Sequence, residues 1–309
     1  MTTVFIDGSA GTTGLRIHER LADRSDLTTI TLPDELRKDP AAKKEAMLSS
    51  DIVFLCLPDD AAREAIALLG NDGPAVIDTS TAHRTAEGWT YGFPELQGKR
   101  EQILASKRIA NPGCHASGFV ALVEPLVTNR LLAPDAHLTC FSITGYSGGG
   151  KKMIADYESE ERDPLLKAPR QYGLTQNHKH LKEMTAISGL TVAPVFCPIV
   201  SDFCCGMEVT VSLFADQLRG KVDDIKALYR QIYNGKIVRY AENDDESGFL
   251  SAAKLDGKDG MNITVAGNDD RILLIARFDN LGKGASGAAI QNMNIVLGLP
   301  EDTGLVKGN

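Results

Sequence analysis

The sequence predicts an α/β protein in which a parallel sheet covered by helices is followed by a second, α+β domain with a mixed sheet. Two observations support this fold class. In residues 1–80, short apolar runs alternate with segments of helical periodicity, the pattern of repeated βα units. After residue 114 the chain has longer runs of β-branched and aromatic residues, which are typical of a mixed or antiparallel sheet.

The βα units follow one another in the first part of the chain. The apolar run 3–7 leads into a glycine-rich turn and then into a segment where Leu15, Ile17 and Leu21 mark one helical face. The next predicted elements alternate in the same way: strand 27–32, helix 39–50, strand 51–58, helix 59–70 and strand 75–80.

The second part of the chain contains four strand-rich segments and a closing helix. They are residues 137–150, 190–200, 203–215 and 261–280, with the helix at 284–299. We therefore expect a first domain of residues 1–113, completed by the C-terminal helical segment 286–309, and a second domain of residues 114–285.

Composition excludes several classes of protein. The formal net charge is −8 and no basic cluster is interleaved with aromatic residues, which argues against nucleic acid or an anionic membrane as partner. We find neither an apolar run of about 20 residues nor a signal-peptide pattern, and so expect a cytoplasmic protein. The six cysteines lack the paired C-x-x-C spacing of a zinc site.

The glycine turn after the first strand is the first candidate site. Gly8, Gly11 and Gly14 form a G-x-x-G-x-x-G pattern between a strand and a helix. Glycines let the backbone approach a pyrophosphate, and the N–H groups of a helix N-terminus, here at Thr12 and Thr13, bind its charge. The pattern predicts a Rossmann-type dinucleotide site, and the alternative is a tight structural turn.

The choice between the two nicotinamide nucleotides stays open on sequence. Asp34 lies about 20 residues beyond Gly14, where an acid binds a ribose hydroxyl. Arg37 and Lys38 follow, and these cations suit a 2′-phosphate.

The second candidate site is Cys114 in the segment NPGCHASG. Pro112 and Gly113 favour a turn, and a helix that begins at Cys114 would lower the thiol pKa through its free N–H groups and dipole. The same N–H groups, together with the Ser117 hydroxyl, suit the oxyanion that forms when sulfur attacks a carbonyl. The alternative is a buried, inert cysteine at a turn.

A third candidate site is the segment NHKHLKE. Asn177 is a plausible helix N-cap, which would put His180 and Glu183 on one helix face and His178 in the exposed first turn. Either histidine suits acid–base chemistry near neutral pH. The alternative is a solvated helix start. Histidines two residues apart are poor metal ligands on a helix and we see no third ligand, so we predict no metal.

Six motifs, in this order and spacing, resemble the N-acetyl-γ-glutamyl-phosphate reductase family in its shorter form. They are GSAGTTG, DTSTAHR, YGFPEL, NPGCHASG, HKHLKE and KGASGAAIQNMN, and they extend over nearly the whole chain. The resemblance implies NADPH-dependent reduction of an acyl phosphate to an aldehyde in arginine biosynthesis. It also implies a Rossmann domain, a catalytic and dimerisation domain, and a homo-oligomer, either dimer or tetramer.

The resemblance also assigns roles to residues. Cys114 forms a thioester with the acyl group, and hydride from the nicotinamide reduces it. His178 is the acid–base group, with His180 as the alternate, which helical geometry alone favours. Ser80 in DTSTAHR and Gly284 in KGASGAAIQNMN join the cofactor site. The turn has Ser9-Ala10 and Thr12-Thr13 where other residues are more common in the family, and the strand before it ends in Asp7. None of these differences removes a glycine.

The anionic groups of the substrate need cations or N–H donors. Ser147, Gly148 and Lys151 form a glycine-rich stretch ahead of a cation, and Arg84 is a second candidate. For both, the alternative is a surface loop.

Three other functions are weighed against this one. Aspartate-semialdehyde dehydrogenase shares the fold and chemistry, but its cysteine is typically followed by a stretch with a glutamine, which NPGCHASG lacks. A reductase for N-acetyl-aminoadipyl phosphate differs by one methylene, which pocket depth distinguishes by only about 1 to 3 kcal/mol. A non-catalytic, dinucleotide-sensing Rossmann protein would bind the nucleotide without turnover.

Overall fold

The computed structural model describes residues 1–9, 11–70 and 73–308, and the chain divides into two compact units. The first unit comprises Met1–Pro94, Gly98–Pro112 and Ala285–Leu305. The second comprises Glu95–Gln97, Gly113–Gly284 and Val306–Asn309. Each unit therefore takes in segments that are far apart in the sequence.

The described strands of the first unit form a six-stranded sheet in which every pair is parallel. The strands are β1 (Thr2–Asp7), β2 (Leu27–Ile30), β3 (Ile52–Leu55), β4 (Ala75–Asp78), β5 (Thr90–Tyr91) and β6 (Arg108–Ala110). Their order across the sheet is β2-β1-β3-β4-β6-β5. All residues of β3 and β4 are buried, as expected for central parallel strands with both faces covered. The predicted parallel sheet is confirmed.

Helices in the first unit connect the strands and cover the sheet. They are α1 (Thr12–Ala22), α2 (Pro40–Leu48), α3 (Asp59–Leu69), α4 (Lys99–Ala105) and a C-terminal helix (Gly287–Val296). In α1, Ile17 and Leu21 are buried as predicted, but Leu15, predicted to share their face, is 45% exposed. In α2, the Asp39 carboxylate accepts a hydrogen bond from the N–H of Ala42 at 2.9 Å and caps the helix.

The C-terminal helix begins three residues later than the sequence suggests. A π-helical turn, Gly282–Ser286, precedes it. The carboxylate of Asp279 accepts hydrogen bonds from the N–H groups of Leu281 (2.7 Å) and Gly282 (3.2 Å). These bonds hold the start of the turn in a non-α conformation, so the regular helix starts only at Gly287.

The second unit contains a seven-stranded mixed sheet, as predicted. Its described strands are β7 (Thr139–Gly145), β8 (Arg170–Gln171), β9 (Val195–Ser201), β10 (Met207–Phe214), β11 (Val238–Tyr240), β12 (Met261–Gly267) and β13 (Arg271–Phe278). Their order is β11-β12-β13-β10-β7-β9-β8; the β7/β9 and β11/β12 pairs are parallel and the others antiparallel. The helices are α5 (Cys114–Thr128), α6 (Gly150–Glu158), α7 (His180–Ser188) and α8 (Val222–Ile232), and the C-terminal helix is α9.

One face of this mixed sheet is buried beneath α5. Gly118 of α5 lies so close to β10 that a Cβ on it would be 2.5 Å from a methyl carbon of Val209. Val209 is fully buried, and so is Ser142 of β7, its partner in the β10/β7 register. The close approach of helix and sheet therefore requires glycine at position 118.

The opposite face of the mixed sheet carries several exposed apolar side chains. Register pairs Phe141 of β7 with Cys197 of β9, and Val195 of β9 with Thr139, so that all four side chains lie on this face. Phe141 is 46% exposed and Val195 is 54% exposed. Leu273 of β13 lies on the same face and is also exposed.

Among the described residues, no helix combines the length and the apolar character that crossing a membrane requires.

Candidate active site

Two of the three glycines in the turn of the first unit, Gly8 and Gly14, are required by the fold itself. Gly8 has φ +88°, and a Cβ there would lie 2.3 Å from the carbonyl oxygen of Cys56. A Cβ on Gly14 would lie 2.4 Å from the carbonyl oxygen of Gly8. Gly8 also accepts a hydrogen bond from the N–H of Gly11 at 3.0 Å. The turn is therefore packed against the residue that follows β3.

Gly11 differs from its two neighbours. It caps α1 with φ −76°, and among the described residues a Cβ there would meet the Gly8 oxygen, at 3.5 Å, and the Cys56 oxygen, at 3.9 Å. These are ordinary contacts, so packing within the chain does not require glycine at this position. Space for a close ligand is what a glycine here provides.

The surroundings of this turn fit a dinucleotide. Thr12, Thr13 and Gly14 open α1, and the first N–H groups of a helix lack partners within the helix. The sheet order reverses at β1, which lies between β2 and β3, and ligands of such sheets bind outside the strand ends at this point. Ala10 lies outside the described residues. The predicted strand, turn and helix are present, and the binding roles of the individual residues stay predictions.

The acid at the end of β1 and the charged residues considered for the ribose are already paired. The Asp7 carboxylate at the end of β1 is buried and lies 2.9 Å from Nζ of Lys43 on α2, which neutralises an acid beside the turn. Arg37 is exposed and pairs with the exposed Asp34 at 2.9 Å. Lys38 is exposed as well. Since the acid and the cation bind each other, this geometry does not choose between the two nucleotides.

Ser80 belongs to a buried polar cluster at the end of β4. Its hydroxyl donates to the Asp78 carboxylate at 2.7 Å, and the same carboxylate oxygen lies 2.6 Å from Nδ1 of His83. The His83 ring stacks on Trp89 with ring centroids 4.1 Å apart. The cluster fixes the segment DTSTAHR, which includes Ser80, a residue predicted to bind the cofactor.

Arg84 follows in the same segment and is buried. Its Nε donates to the carbonyl oxygen of Asn111 at 3.0 Å, and Nη2 donates to that of Thr79 at 3.1 Å. It therefore bonds backbone groups at the ends of β6 and β4, which sequence reasoning did not anticipate.

Cys114 is the first residue of α5, as its sequence context predicts. Gly113 caps the helix, and its own N–H donates to Oε1 of the buried Glu183 at 2.8 Å. The N–H of Ser117 is used within the helix, because it donates to the Gly113 carbonyl at 2.8 Å. The Ser117 hydroxyl is fully buried and has no hydrogen-bond partner among the residues that the structure describes. Cys114 and Ser117 are three residues apart and share a helix face.

His115, the residue after the cysteine, is the centre of a buried network. Its Nδ1 lies 2.6 Å from the Ser142 hydroxyl, and its Nε2 lies 2.7 Å from the Tyr172 hydroxyl. The Phe196 ring packs against it at 5.2 Å between centroids. Burial, with a smaller contribution from His178, lowers the pKa of His115 to about 3. The imidazole is therefore neutral at physiological pH.

The histidine pair differs from its predicted placement. Asn177 is not the helix cap: α7 begins at His180 and Lys179 precedes it, so His178 lies before the helix and is partly buried. His180 and Glu183 are both buried, on one helix face. The backbone N–H of His180 donates to Nδ1 of His178 at 3.2 Å, so this N–H is already hydrogen-bonded within the chain. Burial, followed by the charge of Lys179, lowers the pKa of His178.

Both histidines lie in one aromatic cluster with His115. The ring centroid of His115 is 5.9 Å from that of His178 and 5.5 Å from that of His180. The ring centroids of Tyr172 and His178 are 6.0 Å apart. The sequence segments of Cys114 and of the histidine pair thus meet in one place within the second unit.

Gly284 also belongs to this neighbourhood. A Cβ on it would lie 3.0 Å from the Cβ of Cys114, so its backbone packs directly beside the cysteine. Lys283, the residue before it, is fully buried and binds both carboxylate oxygens of Glu95, at 2.8 and 2.9 Å. This ion pair fixes the turn that carries Gly284.

The glycine-rich loop proposed for substrate is partly committed to other contacts. The buried Ser147 hydroxyl accepts a hydrogen bond from Nδ2 of Asn280 at 2.9 Å and lies 3.4 Å from Sγ of Cys205. Gly148 and Lys151 are exposed, and Lys151 is in the first turn of α6. Of these three residues, Gly148 and Lys151 are exposed and Ser147 is not.

Sequence reasoning missed the network around His115. The histidine stands inside NPGCHASG, and its position next to Cys114 was a usable signal. Tyr172 and Ser142 gave no signal, because they lie 57 and 27 residues from His115 and meet it only through the fold.

Comparison with known proteins defines the class first. Residues 19–105 match the semialdehyde dehydrogenase NAD binding domain, and residues 114–280 match the semialdehyde dehydrogenase dimerisation domain. The folds of two solved structures agree: aspartate semialdehyde dehydrogenase II of Vibrio cholerae complexed with ASA, and the aspartate semialdehyde dehydrogenase of Francisella tularensis. Their TM-scores are 0.70 and 0.71 at 15% and 16% identity, over 96% of this chain and 98% and 100% of theirs. Together, fold and site define a protein of the semialdehyde dehydrogenase class.

Relatives at higher identity name the family. N-acetyl-gamma-glutamyl-phosphate reductase 2 of a Nostoc species is 44% identical over 98% of both chains. The N-acetyl-gamma-glutamyl-phosphate reductase of a Chelativorans species is 44% identical over 95% of this chain and 97% of its own. That of Brucella ovis is 43% identical over 96% of this chain and 98% of its own. The chain belongs to the N-acetyl-γ-glutamyl-phosphate reductase family, so the predicted resemblance is confirmed.

Proposed function

We propose that this protein reduces N-acetyl-γ-glutamyl phosphate to N-acetylglutamate 5-semialdehyde with NADPH, a step of arginine biosynthesis. One observation carries the proposal. Cys114 begins a helix beside a cluster of histidines, in a chain that is 44% identical over 98% of its length to a relative of that name. Aspartate-semialdehyde dehydrogenases are similar only at 15–16% identity, which supports the fold and not that substrate.

The first half of the reaction is acyl transfer to sulfur. The Cys114 thiolate attacks the acyl carbon, a C–S bond forms, and the C–O bond to phosphate breaks with its electron pair leaving on phosphate. The N–H groups of the first turn of α5 are oriented donors for the oxyanion that develops. A thioester accepts hydride better than a carboxylate does, which is why the sulfur is needed.

The second half returns the sulfur to its starting state. Bound NADPH supplies the hydride that reduces the thioester. The alkoxide that results collapses to the aldehyde as the C–S bond breaks and the electron pair returns to Cys114. We assign His178, with His180 as the alternate, as the acid–base group that takes the Cys114 thiol proton before attack and returns it to the sulfur as the C–S bond breaks. The lowered pKa of His178 supports a neutral imidazole that can take a proton at neutral pH.

Seven residues are proposed to bind the cofactor: Gly8, Gly11, Thr12, Thr13, Gly14, Ser80 and Gly284. Two observations support this assignment: a Cβ at Gly11 would make only ordinary contacts, and Gly11 caps the N-terminus of α1. Five are proposed to bind the substrate: Ser117, Ser147, Gly148, Arg84 and Lys151. The buried Ser117 hydroxyl on the helix face of Cys114 is the best supported of these.

The decisive experiment is the reverse reaction, followed by nicotinamide absorbance. We expect phosphate-dependent oxidation of N-acetylglutamate 5-semialdehyde with NADP, and much slower oxidation with NAD. Aspartate semialdehyde and N-acetyl-aminoadipate semialdehyde are the matched competitors. A larger kcat/KM for either competitor would reject the proposed substrate, and nucleotide binding without any turnover would favour a sensing protein.

We further propose that two copies of the chain associate through the open face of the mixed sheet. The face carries Phe141, Val195 and Leu273, all exposed, and such an apolar patch marks an interaction surface. The match of residues 114–280 to a dimerisation domain supports a second copy as the occupant.

Phe141→Glu tests this interface by analytical ultracentrifugation. We expect the variant to sediment as a monomer where the wild type is a dimer, because a charge from each copy would be buried in the contact. Leu174→Glu is the matched control, since Leu174 is 73% exposed and lies outside the strands of the sheet. An unchanged dimer for Phe141→Glu would contradict the proposed interface, and a tetramer would show that a second surface exists.

A further inference from the structure

Two adjacent cysteines lie in the loop between β9 and β10, and their sulfur atoms are in contact. The sulfurs of Cys204 and Cys205 are 3.4 Å apart. Neighbouring side chains of an extended strand point in opposite directions, whereas the chain bends at these residues and brings both sulfurs together. Cys204 is exposed and Cys205 is buried. The loop therefore carries a pair of thiols of which one is open to solvent.

The two thiols differ in their surroundings. The S–H of Cys205 donates to the sulfur of Cys204. Burial, which outweighs a hydrogen bond from Ser147, raises the pKa of the Cys205 thiol to about 12. The carboxylates of Asp256 and Asp279 each place an oxygen within 4.8 Å of this sulfur, and the charge of Asp279 also favours the protonated thiol. An oxidant from solution therefore reaches the exposed sulfur of Cys204 first, with the Cys205 thiol directly beside it.

The cysteine loop is bonded to the glycine-rich stretch proposed to bind the substrate. Three consecutive N–H groups, those of residues 145–147, donate to carbonyl oxygens within residues 203–206 over 2.9 to 3.1 Å. The last of these bonds joins the N–H of Ser147 to the carbonyl of Cys204, which belongs to the peptide bond between the two cysteines. A Cβ on Gly145 would lie 2.3 Å from that same oxygen. A movement of this peptide bond therefore has to displace residues 145–147.

We propose that Cys204 and Cys205 are a redox-sensitive site, which hydrogen peroxide oxidises to a reversible disulfide. The Cys204 sulfur attacks the O–O bond of the peroxide and becomes a sulfenic acid, and one water molecule leaves. The Cys205 sulfur then attacks that of Cys204, the S–O bond breaks, and the hydroxyl leaves as a second water with the Cys205 proton. In all, two electrons and two protons pass from the thiols to the peroxide.

A disulfide between adjacent residues is strained, and this strain links it to the substrate loop. Disulfides usually join Cα atoms about 4.4 to 6.8 Å apart, whereas adjacent Cα atoms across a trans peptide are about 3.8 Å apart. Closing the ring therefore distorts the peptide bond between the cysteines and weakens the hydrogen bond from Ser147 to the Cys204 carbonyl. Strained and exposed disulfides are also the ones that are easily reduced. The effect on substrate rests on the proposed function of Ser147 and Gly148, whereas formation of the disulfide does not.

The first test is mass spectrometry of the cysteine loop after oxidation. The background is Cys114→Ser, so that oxidation of the proposed nucleophile does not contribute. Chymotrypsin cleaves after phenylalanine and releases residues 204–214, which contain Cys204 and Cys205 and no other thiol. After hydrogen peroxide in the presence of a chelator, we expect this peptide to be lighter by two hydrogen atoms. Dithiothreitol should restore its mass.

Two variants in the same background identify the reacting sulfurs. Cys205→Ser lacks the second thiol, so Cys204 should stop at the sulfenic acid, which dimedone captures. Cys197→Ser is the matched control, because Cys197 lies on β9 only seven residues before Cys204, and it should form the disulfide as the parent does.

The second test measures the effect of the disulfide on residues 145–147. Hydrogen exchange of these N–H groups should become faster on oxidation and stay unchanged when Cys204→Ser is added, because that variant cannot form the disulfide. In the same Cys114→Ser background, oxidation should weaken the binding of N-acetylglutamate 5-semialdehyde by about 5- to 150-fold, the usual size of coupling between two sites. Calorimetric titration measures this affinity.

Several outcomes would overturn the inference. They are thiols that persist in peroxide, a sulfinic acid at Cys204 in place of the disulfide, or a disulfide that leaves hydrogen exchange at residues 145–147 unchanged. Zinc that binds both thiols and protects them from peroxide would replace the redox site with a metal site. A reduced protein that does not bind the semialdehyde would instead contradict the proposed function, and the mass and exchange measurements would still decide on the disulfide.

Discussion

The buried carboxylate of Glu183 accepts a hydrogen bond from the backbone N–H of Gly113 at 2.8 Å, and Gly113 caps the helix that begins with Cys114. Two segments 70 residues apart in the chain are joined by this bond. Glu183 therefore holds the entry to α5, in addition to any part it has in orienting the histidines before it.

The role of Glu183 predicts a difference between two substitutions. Glu183→Leu leaves a buried N–H unpaired and should lower the free energy of unfolding by about 1 to 3 kcal/mol. Glu183→Gln retains an acceptor oxygen and should cost clearly less. Urea denaturation of both variants compares them, and equal losses would mean that the carboxylate charge, and not the hydrogen bond to Gly113, is what stabilises this region.

Substitutions at two glycines of the turn should affect fold stability and cofactor binding separately. Gly11→Ala should leave the melting temperature nearly unchanged, because a Cβ fits there, but should weaken NADPH binding, because the Cβ occupies space that the pyrophosphate needs. Gly8→Ala is the contrast: its φ of +88° and the Cys56 oxygen at 2.3 Å should destabilise the fold. Calorimetric titration and thermal melting measure the two effects. Unchanged NADPH affinity in Gly11→Ala would mean that the glycines serve only the turn.

Replacing Cys114, the proposed nucleophile, should stop the reaction and leave the cofactor site intact. In Cys114→Ser the hydroxyl has no accessible anion at neutral pH, so we expect turnover to be lost while NADPH binding is largely retained. Single-turnover kinetics and fluorescence titration with NADPH check the two parts. More than a small residual fraction of the wild-type rate would contradict the covalent mechanism.

The two histidines of the HKHLKE segment should differ in their effect on rate. His178→Asn should reduce kcat by about 10² to 10⁴-fold, the usual size of general acid–base catalysis, and His180→Asn much less. His178 is partly buried outside the helix, whereas His180 is buried within it. A greater loss in His180→Asn would move the acid–base role to the histidine that shares a face with Glu183.

The pH profile tests the same assignment. The pKa of His178 is lowered in the folded protein, so its basic form persists to a pH below the ordinary histidine value. The acid limb of kcat should therefore lie below about pH 6.5 in the wild type and disappear in His178→Asn. A limb that persists in that variant would come from another group.

His115 predicts a particular loss of stability in acid. Its pKa is about 3 in the folded protein and 6.5 when unperturbed, so between these values the unfolded chain binds a proton that the folded chain does not. The contribution of His115 to stability is therefore full above pH 6.5 and falls as the pH drops towards 3, by at most about 1.4 kcal/mol per pH unit. His115→Gln should remove this slope in chemical denaturation at several pH values. An identical slope in wild type and variant would contradict a buried, neutral imidazole.

Features that depend on neighbours in the chain were determined by the sequence alone. The alternation of strands and helices follows from local periodicity, and the start of α5 at Cys114 follows from Pro112 and Gly113. The glycine turn after β1 is local in the same sense. Side-chain spacing is set by backbone geometry, so a sequence pattern is sufficient to predict elements of this kind.

Only the tertiary structure decided which groups meet around the cysteine. The helix after Asn177 begins at His180 and not at His178, although the local pattern allowed either. Tyr172, Ser142 and Glu183 reach the first turn of α5 from β8, β7 and α7, and no spacing along the chain indicates those encounters. They depend on strand register and on the packing of α5 against α7, which place residues from different segments within hydrogen-bond distance. Contacts of this kind arise from the fold of the whole unit, and a single sequence does not contain them as a pattern.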